Sequence, residues 1–174
     1  RMAKSPPAPG SETAAKAEYI HLHLHSEYSL LDGANRIDKL IARVKELGMD
    51  AVAVTDHGNM HGAMQFYAKA RDAGIKPILG IEAYVAPGLR TDKTYTGIQD
   101  GGFHLVLLAE NNAGYHNLLK LTSDAFIHGF YYKPRMDKRT LADHADGLIA
   151  INGHLGSSIA FHLTNFVKTN DQGD

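Results

Sequence analysis

From Tyr19 to His25 the chain alternates strictly, with Ile20, Leu22 and Leu24 on one side and Tyr19, His21, His23 and His25 on the other. The pattern predicts a strand with one face that is nearly all imidazole. Downstream the period changes: Ile37, Leu40, Ile41, Val44 and Leu47 recur at helical spacing, with Asn35 as the expected cap and Gly48 as the stop. Residues 51–55 form a short unbroken apolar run, which predicts a strand covered on both faces and leading into Asp56-His57-Gly58. A helix is predicted from about Met60 to Ala73, closed by Gly74, and a further strand over residues 76–85. Glu82 sits inside that strand, where a buried parallel strand normally carries an apolar side chain. After a loop over residues 87–102, His104 opens a strand, and a helix follows over residues 112–125 with Leu118, Leu119, Leu121 and Ala125 inward. Residues 129–135 read as a loop, and Asp137 as the cap of a short helix to His144. Leu148 to Ile151 reads as a strand, and residues 157–166 as the last helix.

Five strands alternating with helices predict an α/β protein with a parallel sheet, open or curling toward a barrel. Residues 1–17, rich in Pro, Ala, Ser and Lys, are expected to be a disordered arm, residues 18–168 one domain, and residues 169–174 a frayed tail. In such sheets chemistry collects at the carboxyl ends of strands, where His25, His57 and His154 fall and which Glu82 approaches. His104 is the misfit: the pattern puts it at the start of its strand, and a parallel sheet offers no reason for a functional residue there.

Composition narrows the chemistry. The 174 residues carry 18 Lys and Arg against 19 Asp and Glu, so no overall field holds nucleic acid and any such contact must be local. The absence of cysteine removes disulfides, thiolate nucleophiles and thiolate metal ligands, while histidine is plentiful at eleven. No apolar run approaches the roughly 20 residues of a membrane span, so a cytoplasmic protein without membrane partners is expected. A face of three histidines is poorly suited to an ordinary core, because each ring brings a donor and an acceptor. Mixed imidazole and carboxylate donors suit zinc, manganese or iron better than magnesium or calcium. A carboxylate such as Glu82 can bridge two ions, and paired ions serve phosphoester hydrolysis, the first chemistry to expect. Asp56 is expected to fix a neighbouring ring by hydrogen bonding. His21, His61, His116, His128, His144 and His162 read as surface or locally bonded histidines, with His21 a candidate to support the metal ligands.

The runs His23-Leu-His25-Ser, Thr55-Asp-His57-Gly, Gly80-Ile-Glu82 and His104-Leu-Val-Leu-Leu-Ala resemble the successive motifs of the polymerase and histidinol phosphatase (PHP) domain family. Ser29-Leu-Leu-Asp-Gly33, Gly74-Ile-Lys-Pro-Ile78, Gly114-Tyr115 with Asn117-Leu118, Gly129-Phe-Tyr-Tyr-Lys-Pro-Arg135 and Gly147-Leu-Ile149 are similar, more narrowly, to the family's form at the N-terminus of bacterial replicative DNA polymerases. The likeness runs from Tyr19 to about Ile159. It implies a distorted (β/α)7-type barrel, truncated here to about five β/α units, with first and last strands that expose edges. It implies up to three divalent ions: one on His23, His25 and Glu82, a second on Glu82, His104 and His154, and a third on Asp32 and His57. His154 stands where the polymerase form often has cysteine. The family's final Asp-x-His motif has no match, which leads us to expect one well-held ion and feeble activity from this chain alone. The activity implied is metal-dependent phosphodiester hydrolysis at a DNA 3′ terminus, with other replicase subunits as partners and the polymerase centre outside this chain. The rival readings are a free-standing PHP phosphoesterase on a small monoester and a metal-stabilised platform for the polymerase. Lys133 and Arg135, beside Tyr131 and Tyr132, are the candidates for contact with a phosphate backbone.

Overall fold

The computed structural model describes residues 18–98, 101–152 and 154–170, with side chains through Phe166. The expected arm over 1–17 and the last four residues of the expected tail lie outside them. The strands are β1 (Ala51–Val54), β2 (Lys76–Val85), β3 (Phe103–Ala109), β4 (Arg135–Met136) and β5 (Leu148–Ile151). The helices are α1 (Ile37–Glu46), α2 (Ala63–Asp72), α3 (Asn112–Ile127), α4 (Lys138–Asp143) and α5 (Ser158–Asn170).

The α/β class holds, but the sheet is mixed and open. Its order is β1-β2-β3-β5, with β4 also beside β2. β2 is parallel to β1 and β4, whereas β3 runs antiparallel to both β2 and β5. Only β3 is therefore reversed. The cause lies in its connection: parallel neighbours need a crossover, ordinarily an α-helix, and no α-helix occurs between Ala86 and Gly102 among the described residues. A plain loop returns the chain beside β2 in the opposite sense. His104, the second residue of β3, thus lies opposite Tyr84, near the carboxyl end of β2. The misfit disappears, because the start of β3 and the ends of β1, β2 and β5 share one rim.

The histidine segment is the second departure. Residues 19–25 form no ladder strand. Ala53 N–H donates to His21 O and Thr55 N–H to Leu24 O, so three residue steps of the segment lie against two along the end of β1 and the residue after it. That mismatch bends the chain at Leu22 and His23, and Leu22 is left exposed. Strict alternation ends there, which separates His21 from His23 and His25.

Smaller boundaries also shift. Asn35 does not cap α1: its side chain donates to His25 O, and Glu27 accepts the Ile37 N–H instead. Asp137 caps α4 in a reciprocal box with Thr140, as the sequence predicts. Arg135 and Met136, expected in a loop, pair with Tyr84 and Val85. The last helix continues to Asn170, past the expected start of fraying at Thr169.

One core cluster joins α1, α2 and β1 through Ile37, Leu40, Val44, Val52 and Phe66. A second packs α3 on β2 and β3 through Ile81, Leu107, Leu118, Leu121 and Met136. Burying a side chain such as Phe66 or Leu118, both fully inaccessible, contributes about 1.5–3 kcal/mol. These two clusters hold β2 between them, and β2 carries Glu82.

Candidate metal centre

Glu82 is wholly inaccessible to solvent, on the half of β2 where every residue is buried. A carboxylate so placed requires partners on both oxygens. Its Oε2 lies 3.0 Å from His23 Nε2, 2.6 Å from His25 Nε2 and 3.2 Å from His57 Nδ1. Its Oε1 lies 2.7 Å from His104 Nδ1 and 3.9 Å from His154 Nε2. Burial alone would raise the Glu82 pKa, but hydrogen bonds from His104, His23 and His25 and the charge of His57 hold it far below the usual carboxylate range. Glu82 is therefore an anion throughout the working range of the protein.

Asp32 closes the outer side of the cluster. Its Oδ2 is 2.8 Å from His57 Nε2, and its Oδ1 is 3.7 Å from His25 Nδ1. His25 and His57 thus each stand between the two carboxylates, with ring centroids 3.9 Å apart. Burial would lower the His25 pKa, yet the hydrogen bond and charge of Glu82, aided by Asp32, raise it.

The donors group as three triads, each with its atoms within 4.8 Å: His23, His25 and Glu82; His25, Asp32 and His57; and His57, Glu82 and His104. In the first triad the two ring nitrogens are 3.1 Å apart. A tetrahedral ion with bonds of about 2.0–2.1 Å holds its ligands roughly 3.3 Å apart, so this triangle is close to ligand spacing. His57 Nδ1 gives a second sign of fit: it is buried and makes no hydrogen bond, although Glu82 Oε2 is 3.2 Å away. A buried lone pair or N–H without a partner is costly, and an ion between these donors would satisfy it.

The grouping differs in two respects from that implied by the family resemblance, the first being that His25 joins Asp32 and His57. His57, rather than His154, completes the set with Glu82 and His104. His154 stacks flat on His104, with centroids 4.4 Å apart and planes 11° from parallel. Its Nδ1 accepts the Gly156 N–H at 2.8 Å, which puts the proton of a neutral ring on Nε2, the atom facing Glu82. Burial, followed by the nearby His104 charge, lowers its pKa. As placed, His154 offers the cavity a donor rather than a lone pair.

Supporting residues differ from expectation as well. Asp56 fixes no ring; its carboxylate accepts from Ser26 N–H at 2.6 Å, Ser26 Oγ at 2.7 Å and Ser29 Oγ at 2.8 Å. It pins the turn that carries Asp32, and Ser29 Oγ in turn accepts the His57 N–H. Neither serine was legible as functional, since hydroxyls near a turn usually bond locally. His21 packs on Tyr19, away from the cluster. Tyr84 was also missed. It lies two residues from Glu82 on β2, hence on the same face, and its ring is 6.1 Å from that of His57 and 5.0 Å from that of His104. The cluster opens into a cavity of about 870 Å³ whose lining includes His25, Asp32, His57, Tyr84, His104 and His154.

Histidines from several strand ends thus surround one buried carboxylate on an α/β sheet, a donor set able to hold divalent metal ions. The sequence profile of the PHP domain matches residues 21–172, and the chain belongs to that family. It is 49% identical over 144 residues to DNA polymerase III subunit alpha of Borreliella burgdorferi, covering 83% of this chain and 13% of that protein. To the same subunit of Thermus aquaticus it is 50% identical over 148 residues, covering 83% of this chain and 12% of the other. The chain thus spans about an eighth of the relatives it matches. Among solved structures, an amidohydrolase from Chromobacterium violaceum with bound sulfate and no metal is 25% identical, covering 61% of this chain and 32% of that one at a TM-score of 0.44.

Proposed function

We propose that this chain is the PHP portion of a bacterial replicative polymerase subunit and that its site hydrolyses phosphodiesters at a DNA 3′ terminus with divalent metal ions. A cytoplasmic location and other replicase subunits as partners belong to the same reading, and polymerisation belongs to sequence outside this chain. The observation that carries it is Glu82: a fully buried anion with both oxygens addressed by four ring nitrogens from three separate segments. Such a carboxylate suits a bridge between cations.

His23, His25 and Glu82 would hold one ion, Glu82, His104 and His57 a second, and Asp32 with His57 and His25 a third, the sites overlapping at the shared rings. Zinc, manganese and iron all fit the donor types. When bound, such ions polarise a phosphoryl oxygen and make water acidic enough to attack it near neutral pH. The protein contributes the remainder. Glu82 keeps its charge and neutralises the cations; Asp32, half exposed at the mouth, is placed to take a proton from entering water through Oδ1 or Oδ2. His154 presents its Nε2–H to the cavity and can bond a phosphate oxygen. Tyr84 and Gly156 close the space behind the rings, where even a Cβ on Gly156 would sit 2.9 Å from His154 Nδ1.

The test is degradation of a 3′-labelled single-stranded DNA with manganese, by the parent chain and by Glu82→Gln. Manganese-dependent loss of the label, reduced at least about a hundredfold in the variant, supports the reading. Activity that persists in Glu82→Gln, or that is unchanged by chelator, contradicts it.

A further inference from the structure

We infer that Lys133 is the phosphate-binding residue of this site, holding a backbone phosphate of a single-stranded DNA substrate at the mouth of the cavity. The inference rests on the hydrolase reading above, and it names the group that recognises the substrate.

Three observations lead to it. First, the cavity lining contains one Lys or Arg side chain among the described residues, and it is Lys133. The two carboxylates of the cluster repel a phosphodiester, so a fixed cation at the mouth changes the approach of substrate whether or not ions are bound. Second, the lysine is placed. Its Nζ lies 5.6 Å from the centroid of the Tyr84 ring, the same ring that neighbours His57 and His104, so the ammonium stands one ring away from the donors. Pro134 follows directly and packs where a Cβ on Gly58 would meet it at 2.8 Å, which locks the loop against the turn after His57.

Third, the backbone that presents Lys133 is held in an uncommon form. Tyr132 has φ of 60°, the one non-glycine residue with positive φ among those described. A bulky side chain in the left-handed region is strained, and such strain concentrates at functional sites. The neighbouring Arg135 ties the same loop to the rest of the fold. Buried at 2% exposure, its guanidinium donates to the carbonyls of Gly129, Gly101, Arg90 and Asp92 at 2.6–3.3 Å and lies 5.0 Å from the Tyr131 ring centroid. Arg135 is thereby committed to the protein's own backbone and does not serve as a phosphate ligand. The two basic residues of this loop divide the work: one anchors the loop, and the other faces the cavity.

The experiment compares the parent chain, Lys133→Met and Lys133→Arg in binding a short fluorescein-labelled oligothymidylate by anisotropy, across a salt series, once with chelator and once with manganese. A charge-assisted contact to phosphate predicts roughly tenfold weaker binding in Lys133→Met and a salt slope shallower by about 0.7, with recovery in Lys133→Arg. A structural role would leave that slope unchanged. Equal affinity and slope in parent and Lys133→Met overturn the inference and leave the hydrolase reading standing. Failure of the hydrolase reading shows separately, as lack of bound metal, while the lysine's effect on the chelated protein is still read. Should Lys133→Met fail to fold by circular dichroism, Lys133→Gln replaces it with the same expected slope.

Discussion

Among single side chains, His57 and His154 carry the sharpest contrast. His57 belongs to two of the three donor triads and has a buried Nδ1 without a hydrogen bond, whereas His154 has its Nδ1 occupied by the Gly156 N–H. Metal titration should therefore show about a tenfold or greater loss of affinity in His57→Ala and less than about threefold in His154→Ala. The reverse order would mean that the His154 ring turns over on binding. Which histidines matter was partly legible in sequence: Glu82 announced itself as a charge inside an apolar strand, and His23 and His25 as part of an alternating imidazole face. Their supports were not. Ser26 and Ser29 are ordinary turn residues until Asp56 accepts from both, and Arg135 looks like a surface cation until its guanidinium is found among four carbonyls.

For the elements, the reversal of β3 is the main lesson. Hydrophobic runs located β1, β2, β3 and β5 closely, because a four-to-ten residue apolar stretch is visible without its neighbours. Strand direction is set by the connection instead, and the signal was present in a loop over 87–102 with no helical period. β4 was missed because a two-residue strand leaves no pattern. Its neighbour α4 yields a prediction about acid. Asp137, 1% exposed, accepts from Arg139 and Thr140 N–H at its cap position and from Arg90 N–H and Nη1. Burial would raise its pKa, but these bonds lower it from 3.8 to about 2. A depressed folded-state value contributes stability that is complete above the unfolded pKa and disappears as pH falls toward about 2. The contribution is on the order of 2 kcal/mol at neutral pH. Asp137→Asn should destabilise by about that amount at pH 7 and by much less at pH 2, measured by urea unfolding. An equal loss at both values would place the effect in packing rather than in charge.

Across the whole molecule, the site is well buried at its base while one flank is not. Ile149 on β5 and Ile159, Leu163 and Phe166 on α5 are 47–65% exposed, and no described strand pairs with the far edge of β5. Exposed apolar faces beside an open strand edge invite association. Sedimentation velocity should detect concentration-dependent self-association of the 174-residue chain. Leu163→Glu combined with Phe166→Glu should abolish it; a parent that stays monomeric at all concentrations would contradict this. The barrel implied by family resemblance is not the shape described, since the described strands form an open sheet. β2 is clamped between two core clusters, which fixes Glu82 independently of either edge. That independence makes the central claim measurable on this chain directly. Elemental analysis after purification without added metal, followed by equilibration with zinc or manganese and removal of free ion, should find at least one ion per chain. Glu82→Gln should lower this at least about tenfold at equal free metal while retaining the parent circular dichroism spectrum. A metal content near zero in the folded parent chain, or an undiminished one in Glu82→Gln, would contradict the assignment of this cluster as a metal centre.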